Sequence, residues 1–435
     1  MSSSPGSSVA SDGPYVEVRS GTPLNGRIEV PGAKNSVLKL MAASVLADGA
    51  VTIDNAPAIV DVAIMADLLR SLGLSVDDGN PGRVLIEAGE ASTIAPPADL
   101  VERMRASVNL LGPLLTRYGQ VRLALPGGDD FGSRPIDMHV AGLEAMGARF
   151  RFDTACVEAS AERLHGADIA FDFPSVGATE NIVTAAVLAH GTTVLEGAAR
   201  EPEVVDLCRF LVGMGASIEG IGSSRLVIDG TGGRPLGAVR HRVVPDRIQA
   251  ATYIAAVAVS GGQLHMVDAR AGDMEMFLRR VTEMGLHIEP VTDDGSQGLI
   301  VTSSGPIRAI DVQTLPYPGI ATDYKPLVIT MLTVAEGSAI VTENLYPGRF
   351  RYVDELVRLG ADVRLDGHHA LVRGVERLRG TSVRAHDIRA GAAMVVAGLA
   401  ADGVTTISGV QHIDRGYDDL VGRLQFVGAD ITRYD

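Results

Sequence analysis

One pattern recurs six times along the 435 residues and limits what the chain can fold into. Each copy begins with a glycine and a β-rich run such as Gly49-Ala-Val-Thr-Ile. A loop follows, then an amphipathic helix that ends on a hydrophobe–glycine pair. The closing glycines are Gly73, Gly147, Gly215, Gly285, Gly360 and Gly428, spaced 68 to 75 residues apart. Each is expected just past a helix C-terminus, where the left-handed conformation is cheap only for glycine. A short strand follows each one, as in Ala216-Ser-Ile and Ala361-Asp-Val. Between the units lies a second, more apolar helix, for instance over Glu180–Ala189 and Arg247–Val259. A period near 70 residues is too long for a solenoid turn and suits a βαβαββ subdomain.

Six such units exceed one ordinary core, so they are expected in two groups of three. The first domain is placed at 34–242. The second is placed at 15–33 together with 243–435, so that two domains face each other across a cleft. Residues 1–14 are Ser/Gly-rich, with neither a basic nor an apolar leader, and read as a disordered tail on a cytoplasmic protein. The longest apolar runs, near Thr252–Val259 and Ala392–Ala401, are too short for a membrane span and fit buried helices. A net charge of −15 argues against a nucleic-acid partner. Two cysteines, Cys156 and Cys208, are too few for a disulfide framework and read as half-buried thiols. Lysine occurs only at 34, 39 and 325, so each position invites inspection.

The loops before the apolar helices aim at helix N-termini, which attract anions. Gly32-Ala-Lys34-Asn35 puts a cation in a first turn, a conflict that a bound anion would resolve. Arg105 precedes an apolar helix and could clamp a phosphate. Leu125-Pro-Gly-Gly-Asp129-Asp130, continuing to Arg134-Pro135-Ile136-Asp137-Met138, sets carboxylates beside an arginine, the materials of acid–base chemistry at an anion site. Ser175-Val176-Gly177 has the form of a phosphate-binding turn. Ala199-Arg-Glu201-Pro-Glu203 and Pro245-Asp246-Arg247 read as ion pairs at a hinge or cleft. Thr322-Asp323, Arg349-Phe350, Asp387-Ile-Arg389 and His412-Ile-Asp414-Arg415 complete a set of loop arginines in an acidic chain. A multiply charged anionic substrate fits that set.

In this order, these motifs resemble the UDP-N-acetylglucosamine 1-carboxyvinyltransferase family of enolpyruvyl transferases, from about Val16 to Tyr434. The resemblance implies two inside-out α/β domains, each of three βαβαββ repeats. It implies transfer of the enolpyruvyl group of phosphoenolpyruvate to the 3-hydroxyl of UDP-N-acetylglucosamine with release of phosphate, without metal or organic cofactor. It further implies that Lys34, Arg105, Arg134 and Arg415 hold phosphoenolpyruvate or its leaving phosphate. Asp323 is then the base for the sugar hydroxyl, and Asn35 touches the sugar. Pro135, Ile136, Asp137 and Met138 lie on the uracil side, and Ser175, Val176 and Gly177 lie at the diphosphate. Leu345 joins the substrate-binding positions, and Asp387 and Arg389 form an ion pair near the phosphate.

The chain departs from the family pattern in three respects. Asp129 stands where many members carry a reactive cysteine, which implies insensitivity to fosfomycin, an alkylator of that thiol. Phe173 replaces a lysine used at the diphosphate. Tyr324-Lys325 and Pro347-Gly348 are unusual beside Asp323 and Arg349, and were expected to flank the acceptor pocket. The alternative acceptor is a nucleotide such as UMP, as in nucleoside-antibiotic biosynthesis.

Overall fold

The structure, a computed structural model, describes residues 13–89, 93–125, 127, 135–293 and 295–435. Asp129, Asp130 and Arg134 lie outside the described residues, as does the expected tail except for Gly13 and Pro14.

Six helices form the interior: α1 (Lys34–Ala43), α2 (Leu111–Tyr118), α3 (Val176–Ala186), α4 (Arg247–Ser260), α5 (Lys325–Thr333) and α6 (Ile388–Ala400). Every residue of α5 is buried, as is the run 388–399 of α6 and 247–258 of α4. A helix apolar on all sides must be enclosed on all sides. Accordingly α4, α5 and α6 pack on one another at the centre of one half, and α2 packs on α3 in the other. The sheets lie outside them, and central strands such as Thr192–Glu196, Ser338–Thr342 and Val404–Ser408 alternate between a buried and a more exposed residue. This is the inside-out α/β arrangement.

The sheets repeat one design. Val312–Gln313 runs parallel to Ser338–Thr342, which pairs antiparallel with His369–Arg373, and that strand pairs antiparallel with Asp362–Asp366. With the helices between them, the unit reads βαβαββ. Four further sheets share this order. In the sheet around Gln120–Ala124 no parallel strand occurs among the described residues, and the Arg122 N–H donates to the Ile94 carbonyl at 3.1 Å.

The outer helices all stop in the same way. Gly73, Gly147, Gly215, Gly285, Gly360 and Gly428 have φ between 94° and 114°. Each donates to the carbonyl three residues back, and the next residue donates to the carbonyl five back, as Gly73 does to Arg70 and Leu74 to Leu69. These are Schellman motifs, and they explain the recurring hydrophobe–glycine pair.

Strands distant in sequence complete three sheets. Tyr15–Arg19 lies between Val404–Ser408 and Asp430–Tyr434, Leu24–Glu29 joins Gly262–Val267, and Val239–Arg242 joins Gly49–Ala56. The buried apolar residues accordingly fall into two clusters. One spans Ala33 to Val244; the other unites Val16–Val30 with Ile248–Ile431. The chain passes between the clusters twice, at 30–34 and at 243–247, and the two passages bond to each other. Ala33 N–H donates to the Val244 carbonyl at 2.8 Å and Asp246 N–H to the Pro31 carbonyl at 2.8 Å. A side chain at Gly32 would lie 1.8 Å from the Asn55 carbonyl oxygen, so only glycine fits this crossing.

Both cysteines are fully buried rather than half-buried, and burial pushes the Cys208 thiol up to about 12. No helix among the described residues is long and apolar enough to cross a membrane.

Candidate active site

The six inner helices start at one place. A cleft of 440 Å³ is lined by Lys34 of α1, Arg105 just before α2, Ser175 and Val176 of α3, Arg247 of α4, Asp323 just before α5, and Ile388 and Arg389 of α6. Helix N-termini carry partial positive charge, so their convergence makes the cleft attractive to anions before any side chain is counted. Capping side chains shape these ends. Ser175 accepts from the Ala178 N–H, Asp246 from Ile248 and Gln249, and Asp387 from Arg389 and Ala390.

Two triads set cations against a shared carboxylate. Lys34 Nζ is 2.9 Å from Asp61 Oδ2, and Arg415 Nε is 3.0 Å from Asp61 Oδ1. Arg349 Nη1 donates to Asp323 Oδ1 at 2.7 Å, and Arg389 Nε lies 3.6 Å from Asp323 Oδ2. Each triad sets two cations against one carboxylate and so carries one formal positive charge. Burial pushes Lys34 below its ordinary pKa; Asp61 opposes this, while Arg415 and Arg389 reinforce it. Burial resists ionisation of Asp323, but Arg349 and Arg389 outweigh it and hold the carboxyl well below the usual range. Asp323 is therefore ionised, and the same two guanidiniums weaken it as a base. Arg389 Nη1 is buried without a partner among the described residues, a costly state that a bound oxyanion would relieve.

Buried pairs flank the triads. Arg247 makes a two-point contact with Glu203, at 2.9 and 3.3 Å, and donates to the Tyr324 hydroxyl at 3.2 Å. Lys39 meets Glu180 at 3.4 Å. The Asp61–Arg415 and Glu203–Arg247 contacts join the two apolar clusters' halves across the cleft.

Most expected residues meet here. Lys34, Asn35, Arg105, Pro135, Asp137, Met138, Ser175, Val176, Gly177, Asp323, Leu345, Arg389 and Arg415 all line the cleft. Ile136 does not line it and instead packs against the first cluster. Two expectations need correction. Asp387 does not pair with the Arg389 guanidinium: its carboxylate caps α6, accepting from the backbone N–H of Arg389, whose side chain turns to Asp323 and Tyr417. The cap satisfies the orphan amides of the helix end, which fixes the carboxylate there. Tyr324 and Lys325 do not flank the pocket either. They are 1% and 0% exposed and point into the second core. Lys325 Nζ is 3.0 Å from Glu343, which also accepts from Thr314, Thr322 and the N–H groups of Leu345 and Tyr346. Phe173 is exposed and lines the cleft.

Sequence reasoning missed Asp61 and Glu343, and assigned no role of its own to Asn181 or His139. Asp61 sits in the first turn of the helix Val60–Ser71, where an acid needs no reason beyond the dipole. The conflict noted at Lys34 was the usable signal, since Asp61 is what resolves it.

The EPSP synthase family model, 3-phosphoshikimate 1-carboxyvinyltransferase, matches residues 18–424. A UDP-N-acetylglucosamine 1-carboxyvinyltransferase of Corynebacterium jeikeium is 48% identical over 96% of this chain and 98% of its own. One from Mycobacterium leprae is 48% identical with the same coverage. The enolpyruvyl transferase NikO from Streptomyces tendae superposes with a TM-score of 0.86 at 27% identity, covering 97% of this chain and 98% of its own. EPSP synthase from Acinetobacter baumannii shares the fold, with a TM-score of 0.75 at 18% identity over 97% of this chain and 100% of its own. The chain belongs to the EPSP synthase family of enolpyruvyl (carboxyvinyl) transferases, in the company of the UDP-N-acetylglucosamine 1-carboxyvinyltransferases.

Proposed function

We propose that the protein transfers the enolpyruvyl group of phosphoenolpyruvate to the 3-hydroxyl of UDP-N-acetylglucosamine, releasing phosphate. This is the first committed step of peptidoglycan precursor synthesis and takes place in the cytoplasm. The observation that carries the reading is the pair of cationic triads at the meeting point of six helix N-termini. The one formal positive charge on each triad suits a phosphoenolpyruvate anion and the charge that develops on its tetrahedral adduct.

In this reading Lys34, Arg105, Arg134 and Arg415 hold the phosphate and carboxylate of phosphoenolpyruvate. Asp323 takes the proton from the sugar hydroxyl as that oxygen attacks carbon 2. Asp129 delivers a proton to carbon 3, which requires its pKa to be raised by burial or by Asp130, and the resulting tetrahedral adduct then loses phosphate from carbon 2 and a proton from carbon 3 to restore the double bond. Asn35 and Leu345 contact the sugar side. Pro135 to Met138 receive the uracil, and Ser175 to Gly177 receive the diphosphate at the start of α3. Asp387 acts at one remove, by fixing the first turn of α6 that carries Arg389. The segments 34–242 and 15–33 with 243–435 serve as two domains that close on the substrates, pivoting at the paired crossings.

The relatives' names favour UDP-N-acetylglucosamine as the acceptor. The loss of a lysine at Phe173 keeps UMP as the second acceptor to test. Phosphate release from phosphoenolpyruvate measured side by side with the two nucleotides decides. Release with UDP-N-acetylglucosamine is expected; release with UMP alone overturns the proposal.

A further inference from the structure

His139 lies on the helix Asp137–Ala145, beneath the first turn of α3, with its ring 5% exposed and its edge on the cleft. Its Nδ1 is 3.0 Å from Asn181 Nδ2. The orientation of that amide is dictated by its other partners. Asn181 Oδ1 accepts from the Gly112 N–H at 2.7 Å, while Nδ2 donates to the carbonyls of Val108 at 3.2 Å and Gly177 at 3.3 Å. Flipping the amide would set its NH2 against an N–H and its oxygen against two carbonyls. Nδ2 shares its two hydrogens among these three acceptors, and an amide nitrogen cannot itself accept, so the His139 Nδ1 that faces it is the bare nitrogen. The ring's proton then resides on Nε2.

Nε2 has no hydrogen-bond partner among the described residues. It lies beside Gly177, where an added Cβ would come within 3.2 Å of it and within 3.0 Å of Cε1. The one polar atom of this buried ring without a protein partner thus sits at the N-terminal turn of α3.

We infer that His139 is locked as the neutral Nε2–H tautomer and donates that hydrogen to the diphosphate of a uridine nucleotide seated at the start of α3. The inference rests on the nucleotide reading above for the ligand, but not for the tautomer. Burial, reinforced by the nearby Arg105 charge and opposed by Asp137, pushes the ring's pKa down to about 4. The donor consequently stays neutral at physiological pH and supplies direction rather than charge. Gly177 admits the ring edge, and any side chain there would press on it.

The test uses the full chain labelled with 15N-histidine. Long-range 1H–15N correlation separates the 10 histidines, and the His139 signals are those lost in His139→Gln. Expected are a bare Nδ1 and a protonated Nε2, unchanged from pH 5.5 to 8, with Nε2 shifting on addition of UDP but not of uridine. A protonated Nδ1, or a ring titrating near its ordinary pKa, overturns the proposal. Calorimetry with UDP gives a second readout. His139→Gln keeps an amide donor near Nε2 and is expected to bind within threefold of the unsubstituted protein. His139→Leu, and Asn181→Asp, which would draw the proton to Nδ1, are expected to weaken UDP about tenfold or more, the worth of a hydrogen bond to a charged group. Unchanged UDP affinity in His139→Leu refutes the donor role. Failure of the unsubstituted protein to bind UDP instead overturns the nucleotide reading, and the tautomer pattern separates these two outcomes.

Discussion

Replacing Lys325 with methionine should destabilise the protein while leaving the cleft's lining groups in place. The ammonium is wholly buried, 3.0 Å from Glu343, and it also donates to the Arg349 carbonyl and lies 3.7 Å from the Phe350 ring centroid. Methionine fills a similar volume but leaves Glu343 buried without its cation. Removing one partner of a buried pair costs about 3–5 kcal/mol. Four hydrogen bonds still reach the Glu343 carboxylate, from Thr314, Thr322, Leu345 and Tyr346, which argues for the lower end. About 3 kcal/mol corresponds to a fall in Tm of roughly 6–12 °C for a domain of this size. The double variant Lys325→Met with Glu343→Gln removes both charges and keeps the acceptor for the two backbone N–H groups. It should regain at least about 2 kcal/mol of the loss, since neutral replacements of buried pairs are often well tolerated. Denaturant unfolding of the two single variants and the double variant, read as a cycle, gives the coupling. A Lys325→Met cost below about 1 kcal/mol, or a double variant as unstable as the sum of the singles, would refute the reasoning.

Asp61→Asn removes the carboxylate shared by Lys34 and Arg415. Since Asp61 is what raises the pKa of Lys34, the alkaline limb of the pH–rate profile should move to lower pH, and kcat/KM should fall by about 10²-fold; an unmoved limb would show that the triad does not govern Lys34. His139 has a folded pKa near 4 against about 6.5 unfolded, so the unfolded state binds the extra proton between those values. The stability it permits is complete above about pH 6.5 and declines by roughly 3 kcal/mol as pH falls to 4; His139→Gln should flatten that part of the stability profile, measured by denaturation at each pH. Fosfomycin should leave activity intact, because Asp129 offers no thiol to alkylate; a covalent adduct at that position in a mass spectrum would overturn this.

The architecture was legible because glycine does one job six times. The Schellman ends at Gly73 through Gly428 impose a residue that no other side chain replaces cheaply, so the period survives in the sequence. Residues at helix starts were legible for a related reason: Lys34, Arg105 and Asp323 stand where the helix dipole makes charge conspicuous. Side-chain partners were harder to read. Asp61 reaches Arg415 across 354 positions of chain, and nothing local marks the pair. Direction was also hidden. Lys325 follows Asp323 by two residues, yet the turn into α5 sends one side chain into the core and the other to the cleft. His139 drew no role of its own because its meaning depends on how Asn181 is held by Gly112 and Val108, a contact set made by tertiary packing alone.

All three lysines of the chain are occupied in buried or nearly buried pairs, with Asp61, Glu180 and Glu343. Every other fixed cation is a guanidinium, which ordinary acylating reagents do not modify. The outer surface of the folded molecule therefore presents no lysine amine at all. Acylation of Lys34 or Lys39 becomes a footprint of the cleft's opening and occupancy, and acylation of Lys325 a clock for unfolding of the second core. Coupling chemistries that attach dyes or supports through lysine would occupy the cleft or mark unfolded molecules, whereas an introduced surface cysteine would do neither, given that Cys156 and Cys208 are both interior.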